Sequence, residues 1–252
     1  MIRVKNIVKR YGEKKVVDQV DLALPKGKIV AFIGSNGAGK STLLSIISRT
    51  LSKNDGEVFI DSVELKDWKN EELSKRLAIL KQSNHLNIRL TVRELVTFGR
   101  FPHSKGRLTK ECEQKVNEAI EYLGLTELQD RYLDELSGGQ RQMAYIAMTV
   151  AQDTEYIFLD EPLNNLDMRH SVKIMKILRR LVDELNKTVF VVIHEINYVS
   201  CYADHIIAMK RGRVIKDGPI EEVLTEETLE EIYDMKIDIQ EINNHKICVY
   251  YK

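Results

Sequence analysis

Apolar residues recur at even spacings in Val16, Val20, Leu22 and Leu24, and Pro25-Lys26-Gly27 then turns the chain into an unbroken apolar run, Ile29-Val30-Ala31-Phe32-Ile33. Alternation predicts a half-buried strand, and the unbroken run predicts a strand covered on both faces. A glycine-rich loop follows, then the helical spacing of Leu43, Leu44, Ile46 and Ile47, turn residues over 52–56 and a short strand over 57–60. Strand, loop and helix in that order open an α/β unit.

From about 91 to 152 the periodicity becomes mostly helical. Over 109–123 it places Val116, Ala119, Ile120 and Leu123 on one face before Gly124 stops the helix. An inserted helical subdomain is expected here. A second apolar strand over 156–159 leads into a long amphipathic helix carrying Val172, Met175, Leu178, Leu181, Val182 and Leu185, and a third buried run covers 189–193. Strands that alternate with helices predict a mainly parallel sheet. Two peripheral hairpins complete the pattern: 205–209 with 213–216 around Lys210-Arg211-Gly212, and 236–242 with 246–251 around Asn243-Asn244-His245.

Composition narrows the function classes. The 252 residues are 43% hydrophobic and 30% charged with 13 Gly and 4 Pro, a globular balance that argues against a disordered chain. Lys plus Arg and Asp plus Glu both number 38, so no overall positive field exists to hold a nucleic-acid backbone. The signs are uneven along the chain. Arg3, Lys5, Lys9, Arg10, Lys14 and Lys15 crowd the start, and Glu221, Glu222, Glu226, Glu227, Glu230 and Glu231 crowd a late segment. Both crowds read as solvated faces. Cys112, Cys201 and Cys248 are odd in number and far from metal-ligand spacing, which supports neither a disulfide framework nor a zinc site. The start lacks a signal-peptide core and no apolar run approaches the ~20 residues that span a bilayer, so a soluble chain of a reducing compartment is expected.

Chemistry concentrates in three strand ends. Gly34-Ser35-Asn36-Gly37-Ala38-Gly39-Lys40-Ser41 fits G-x-x-x-x-G-K-[ST] directly after a buried strand and before a helix, with Thr42 on that helix's first turn. The glycines let backbone amides curl around a triphosphate and the helix amino end adds partial positive charge. Lys40 neutralises β and γ oxygens, and Ser41 ligates Mg²⁺. The strand over 156–159 ends in Asp160-Glu161, a metal-holding carboxylate followed by a candidate general base. His194 closes the third strand at the end where open α/β sheets bind ligands.

Leu136-Ser137-Gly138-Gly139-Gln140 matches the LSGGQ signature of ATP-binding-cassette (ABC) ATPases and lies between the P-loop and Asp160, where that family carries it. The resemblance covers essentially the whole chain. It implies an α/β P-loop NTPase core with a mainly parallel sheet, an antiparallel β subdomain and a helical insertion. The core and β subdomain are expected over 1–85 and 153–225, the helical subdomain over 86–152 and a C-terminal extension over 226–252. By the same resemblance Tyr11 is similar to the adenine-stacking aromatic, Gln82 to the Q-loop glutamine that also meets the metal, Asn164 to Asp167 to the D-loop, and His194 to the switch histidine. Glu161, His194, Gln82 and Lys40 are then the catalytic set. Ser41, Gln82 and Asp160 form the Mg²⁺ set. Two departures stand out: Leu163 where many relatives have Thr or Ser, and Glu195 where Asp commonly follows the histidine.

The signature also reads physically. Ser137, Gly138 and Gly139 open a helix, so amides and a hydroxyl face outward at a positive helix end. Family resemblance implies two copies head to tail, each ATP lying between Lys40 of one and Ser137 of the other. A lone cassette without a span resembles a separate subunit of a bacterial importer, peripheral at the cytoplasmic face of the membrane through two permease subunits. The segment 91–103, with Gly99-Arg100-Phe101-Pro102, resembles ATPases of siderophore, haem and cobalamin uptake. Import of a ferric siderophore delivered by a binding lipoprotein is expected, ahead of haem or cobalamin uptake, an exporter cassette or a soluble non-transport ATPase. Leu90 and Phe101 are the expected permease contacts, whereas Val92, Leu95 and Phe98 are read as filling the subdomain core.

Overall fold

A computed structural model describes residues 1–82 and 88–251, so the expected boundary between residues 85 and 86 lies outside the described residues. These fall into two units, Met1–Trp68 with Arg179–Lys252, and Lys69–Leu178. Along the first part of the first unit come β1 (Ile2–Tyr11), β2 (Lys14–Leu24), β3 (Ile29–Ile33), α1 (Lys40–Ile47), β4 (Asp55–Ile60) and β5 (Val63–Glu64). Strands β2, β1, β4 and β5 form an antiparallel sheet in that order. The sequence pattern does not announce β1, and the ladder explains why. Asn6 and Gln19 sit at φ 47° and 51°, and the register slips between Val4↔Leu22 and Ile7↔Val20. A bulge of this kind lets Ile2, Val4, Ile7 and Val8 all reach the core without keeping a period of two. Lys9 corrects the reading of the basic start as a solvated face: it is 8% exposed, and its ammonium donates to the Ser52 carbonyl at 2.6 Å.

The second unit holds α2 (Asn70–Leu73), β6 (Leu77–Leu80), α3 (Val92–Phe98), α4 (Phe101–Ser104), α5 (Lys110–Tyr122), α6 (Gly138–Ala151), β7 (Tyr156–Asp160) and α7 (Met168–Asp183), with the boundary between units falling inside α7. β6 runs parallel to β7 from Leu77↔Tyr156 to Leu80↔Leu159. β6 is too short to show a period. Thr91 opens α3 with a capping box closed by Glu94, Thr109 caps α5 by accepting from the Cys112 N–H at 3.2 Å, and Gly124 (φ 64°) follows the end of α5 as the sequence predicts.

The chain returns to the first unit with β8 (Thr188–Val192), α8 (Ile196–Tyr202), β9 (His205–Lys210), β10 (Arg213–Pro219), α9 (Ile220–Val223), α10 (Glu226–Tyr233), β11 (Asp238–Ile242) and β12 (His245–Val249). β3 lies between β8 and β9 and runs parallel to both, with Phe32 opposite Val192. That register brings the residues after β3 and those after β8 out at one edge. The last hairpin turns on Asn243 and Asn244 alone, both at positive φ (51° and 61°), and His245 already belongs to β12.

One buried carboxylate braces this unit beneath the glycine-rich loop. Asp18 accepts from Lys15 Nζ at 2.7 Å and from Arg213 Nη2 at 2.8 Å; its own N–H donates to the Gly212 carbonyl, and the Gly212 N–H donates to the Ala38 carbonyl at 2.9 Å. The Lys15 ammonium first, and the Arg213 guanidinium second, hold the Asp18 carboxyl below its ordinary range. A depressed acid contributes stability above its unfolded pKa and loses it as pH falls through the folded value. Asp18→Asn is therefore expected to melt lower than wild type at pH 7, with the gap closing below about pH 4. Thermal unfolding across pH checks this; a gap constant down to acid pH would contradict it.

Candidate nucleotide-binding site

In the first unit, the loop after β3 is shaped by two glycines that no other residue replaces. Gly34 (φ 138°) would place a Cβ 2.1 Å from the Met209 carbonyl oxygen, and Gly39 (φ 101°) would place one 2.5 Å from that of Val16. Both the backbone angle and the space forbid a side chain there. Ser35, Asn36 and Gly37 are exposed at the rim, and Ala38 is buried. Lys40 opens α1 at 4% exposure, with its ammonium donating to the carbonyls of Gly34 at 2.7 Å and Ser35 at 3.0 Å. The cation thus sits inside the curl of the loop. Gly39 gives α1 no side-chain cap, so first-turn amides and the helix's positive end are presented to the loop, with Ser41 and Thr42 half-buried beside them.

His194 follows β8 at the same edge and is exposed. Glu195 caps α8, accepting from the Asn197 N–H at 3.5 Å. Tyr11, at the tip of the β1–β2 hairpin, is 54% exposed with Lys9 Nζ 5.3 Å from its ring centre. An exposed ring of this kind can stack on a base.

In the second unit, Asp160 ends β7 half-buried and Glu161 adopts a left-handed backbone at φ 51°. That conformation costs a non-glycine residue roughly 1–3 kcal/mol and tends to persist where the site's geometry needs it. Gln82 Nε2 donates to Glu161 Oε2 at 2.7 Å, and Asn164 Nδ2 donates to the same oxygen. The structure therefore gathers Gln82 and Asn164 around the Glu161 carboxylate, a role for Asn164 that the sequence reading did not assign.

The signature resolves into a capping box. Ser137 Oγ accepts from the Gln140 N–H at 3.3 Å, and Gln140 Oε1 accepts from the Ser137 N–H at 3.1 Å. Ser137 and Gly138 are exposed, whereas Gly139 is buried. His170 is the residue that the sequence reading missed. Its backbone N–H and ring Nδ1 each lie 2.8 Å from Asp167 Oδ1, and its ring occupies the space beside Gly139, where a Cβ would fall 2.2 Å from His170 Cδ2. These bonds, the backbone N–H first, hold the Asp167 carboxyl below its usual range. The Asp-x-x-His spacing at a helix start was the available signal. Gly139→Ala is expected to slow ATP turnover at least about fivefold, since overpacking costs on the order of 1–3 kcal/mol. Adding His170→Ala should recover part of the loss. Steady-state assays of both variants decide it, and a double variant no faster than Gly139→Ala would remove the contact as the cause.

Residues 17–164 match the family described as ABC transporter. The chain belongs to that family. Among ABC relatives, the petrobactin import ATP-binding protein YclP of Bacillus subtilis (strain 168) is 57% identical over 251 residues, covering 100% of each chain. The petrobactin import ATP-binding protein FatE of Bacillus anthracis is 47% identical over 99% of this chain and 100% of its own. Among solved structures, a putative metal-chelate type ABC transporter in an inward-facing conformation superposes with TM-score 0.85 at 26% identity, covering 99% of this chain and 98% of that one. A dimeric ATP-binding cassette in a post-hydrolysis state, bound to ADP and Pi, gives TM-score 0.77 at 31% identity over 87% of this chain and 99% of that one. The α/β cassette fold expected from the signature is thereby established, and the chain is an ABC ATPase.

Proposed function

We propose that this ATPase powers import of a ferric siderophore through a membrane permease, two copies of the chain closing head to tail over two ATP molecules. The carrying observation is 57% identity along the full length to a petrobactin import ATP-binding protein. In this reading residues 34–42 hold the triphosphate with Lys40 on its β and γ oxygens, Tyr11 lies against adenine, and Ser137, Gly138, Gly139 and Gln140 of the second copy receive the γ-phosphate from the opposite flank. Glu161 takes the proton of the attacking water, His194 contacts the γ-phosphate, and Asp167 lines the junction between copies. Loss of the shared γ-phosphate then opens the pair.

The donors assigned to a metal are the Ser41 hydroxyl, the Gln82 amide and the Asp160 carboxylate, an all-oxygen set that fits Mg²⁺. Gln82 turns its amide nitrogen to Glu161, so its oxygen is the end that serves a cation. Bound there, Mg²⁺ would neutralise charge on the phosphate oxygens.

No helix among the described residues is long and apolar enough to cross a membrane. Attachment at the cytoplasmic face through permease subunits, fed by a siderophore-binding lipoprotein, accounts for how such a chain drives transport. A groove of about 470 Å³ in the second unit supports the docking, lined by Leu90, Thr97, Phe98, Phe101 and Leu108 with Arg93 and Glu94 among them. Val92 and Leu95 are core residues and Leu90 is 9% exposed, but Phe98 and Phe101 stand 53% and 61% exposed. Phe98 thus lies outside the core it was expected to fill. An apolar groove with a charged rim suits an amphipathic cytoplasmic helix of the permease. Cells lacking the gene should regain uptake of radiolabelled ferric siderophore with wild type. With Phe101→Glu they should stay near background, although the purified variant keeps ATP turnover within about twofold. Siderophore uptake unaffected by loss of the gene would overturn the substrate assignment.

A further inference from the structure

The residue after His194 is where this chain departs from the commoner His-Asp pairing, and the longer side chain has a partner. Glu195 Oε1 accepts from the Tyr250 hydroxyl at 2.9 Å while also capping α8. Two residues on, Asn197 grips the last strand: its Oδ1 accepts from the Cys248 N–H at 2.8 Å and its Nδ2 donates to the Cys248 carbonyl at 3.3 Å. This pair of bonds imitates one rung of an antiparallel ladder, with a side-chain amide in place of backbone. The turn that begins at His194 is therefore tied at two points to the carboxyl-terminal strand.

Tyr233, the last residue of α10, carries a buried hydroxyl with no hydrogen-bond partner among the described residues, and burial pushes that phenol up to about 12. α10 is fixed by Lys210, whose ammonium donates to Asp234 Oδ1 at 2.6 Å and to the Glu231 carbonyl. Leu229 and Ile232 are fully buried, whereas Glu226, Glu227, Glu230 and Glu231 face solvent. Burial likewise raises Tyr250, with help from Tyr251 and Glu195, so its hydroxyl remains a neutral donor throughout the physiological range.

We propose that the carboxyl-terminal segment is a positioning element for hydrolysis, with Tyr250 and the Cys248 backbone holding the Glu195–Asn197 turn and thereby setting the imidazole of His194. Shortening Glu195 to Asp withdraws the carboxylate by one methylene, and removing the Tyr250 oxygen deletes the bond outright. Each change loosens the turn without touching the phosphate loop, so the cost falls on kcat and not on nucleotide binding. The inference rests on His194 as a γ-phosphate contact.

The test uses the purified full chain. Tyr250→Phe and Glu195→Asp are each expected to lower kcat about fivefold, the worth of one hydrogen bond. The KM for ATP and the affinity for a fluorescent ATP analogue should change less than about twofold. Because both changes remove the same bond, the double variant should be no slower than the slower single. Wild-type kcat in both single variants, KM rising in step with the loss, or fully additive losses would overturn the proposal. His194→Ala separates this from the reading beneath it. Unchanged turnover in that variant overturns the role of His194 itself, whereas a dead His194→Ala beside a fully active Tyr250→Phe and Glu195→Asp overturns only the positioning role.

Discussion

Glu161→Gln is expected to cut ATP turnover at least about 10²-fold while ATP-bound dimers accumulate, because the change removes proton acceptance and almost nothing else. The side chain keeps its size, and the left-handed backbone at φ 51° is set by the turn after β7. Gln82 and Asn164 both donate to Oε2, and a glutamine carbonyl oxygen can accept the same bonds. Nucleotide affinity should therefore persist, since the phosphate loop belongs to other residues. With ATP bound but not cleaved, the group that holds two copies together stays in place. Turnover assays alongside size-exclusion chromatography with ATP read both halves of the expectation. Normal turnover would remove Glu161 as the base. Lost turnover without dimers would leave the base in place and remove the clamp.

The legibility of this site follows from how local each requirement is. The phosphate loop could be read from eight consecutive residues because its demands are met within the loop, through glycine angles and a lysine that folds back onto carbonyls five and six residues earlier. The signature was legible for the same reason, its serine and glutamine answering each other three residues apart. β1 was not, because a bulge at Asn6 breaks the alternation that announces a strand, and only pairing with β2 restores it. Val92 and Leu95 of α3 are buried, whereas Phe98 at the end of α3 and Phe101 in α4 are exposed. A three-residue spacing keeps Val92, Leu95 and Phe98 close to one face, so the sequence alone does not say where along that stripe burial ends. His170 announced its bond to Asp167 but not its packing on Gly139, 31 residues earlier. The longer Glu195 was visible as an oddity, while its explanation lies 55 residues further on. Contacts of that separation leave no local pattern.

The same logic makes Ser137 the sharpest probe of whether one nucleotide is shared by two copies. Ser137→Arg should bind ATP as a monomer with wild-type affinity, because Lys40 and its loop are untouched, yet form no ATP-dependent dimer and lose at least about 10²-fold in turnover. Part of the effect comes from the cap. Ser137 Oγ satisfies the Gln140 N–H, and losing such a cap costs about 1 kcal/mol of helix stability. Ser137→Ala measures that part alone and should leave dimerisation weakened but detectable. The remainder of the arginine effect is bulk placed at an exposed helix end where a phosphate must approach. Placing each change in the Glu161→Gln background, where dimers persist, turns the question into a light-scattering mass. Dimers of Ser137→Arg/Glu161→Gln with ATP at the wild-type concentration would show that the signature helix end does not meet the second copy's nucleotide. Monomers with intact nucleotide binding would place the γ-phosphate between Lys40 of one chain and Ser137 of the other.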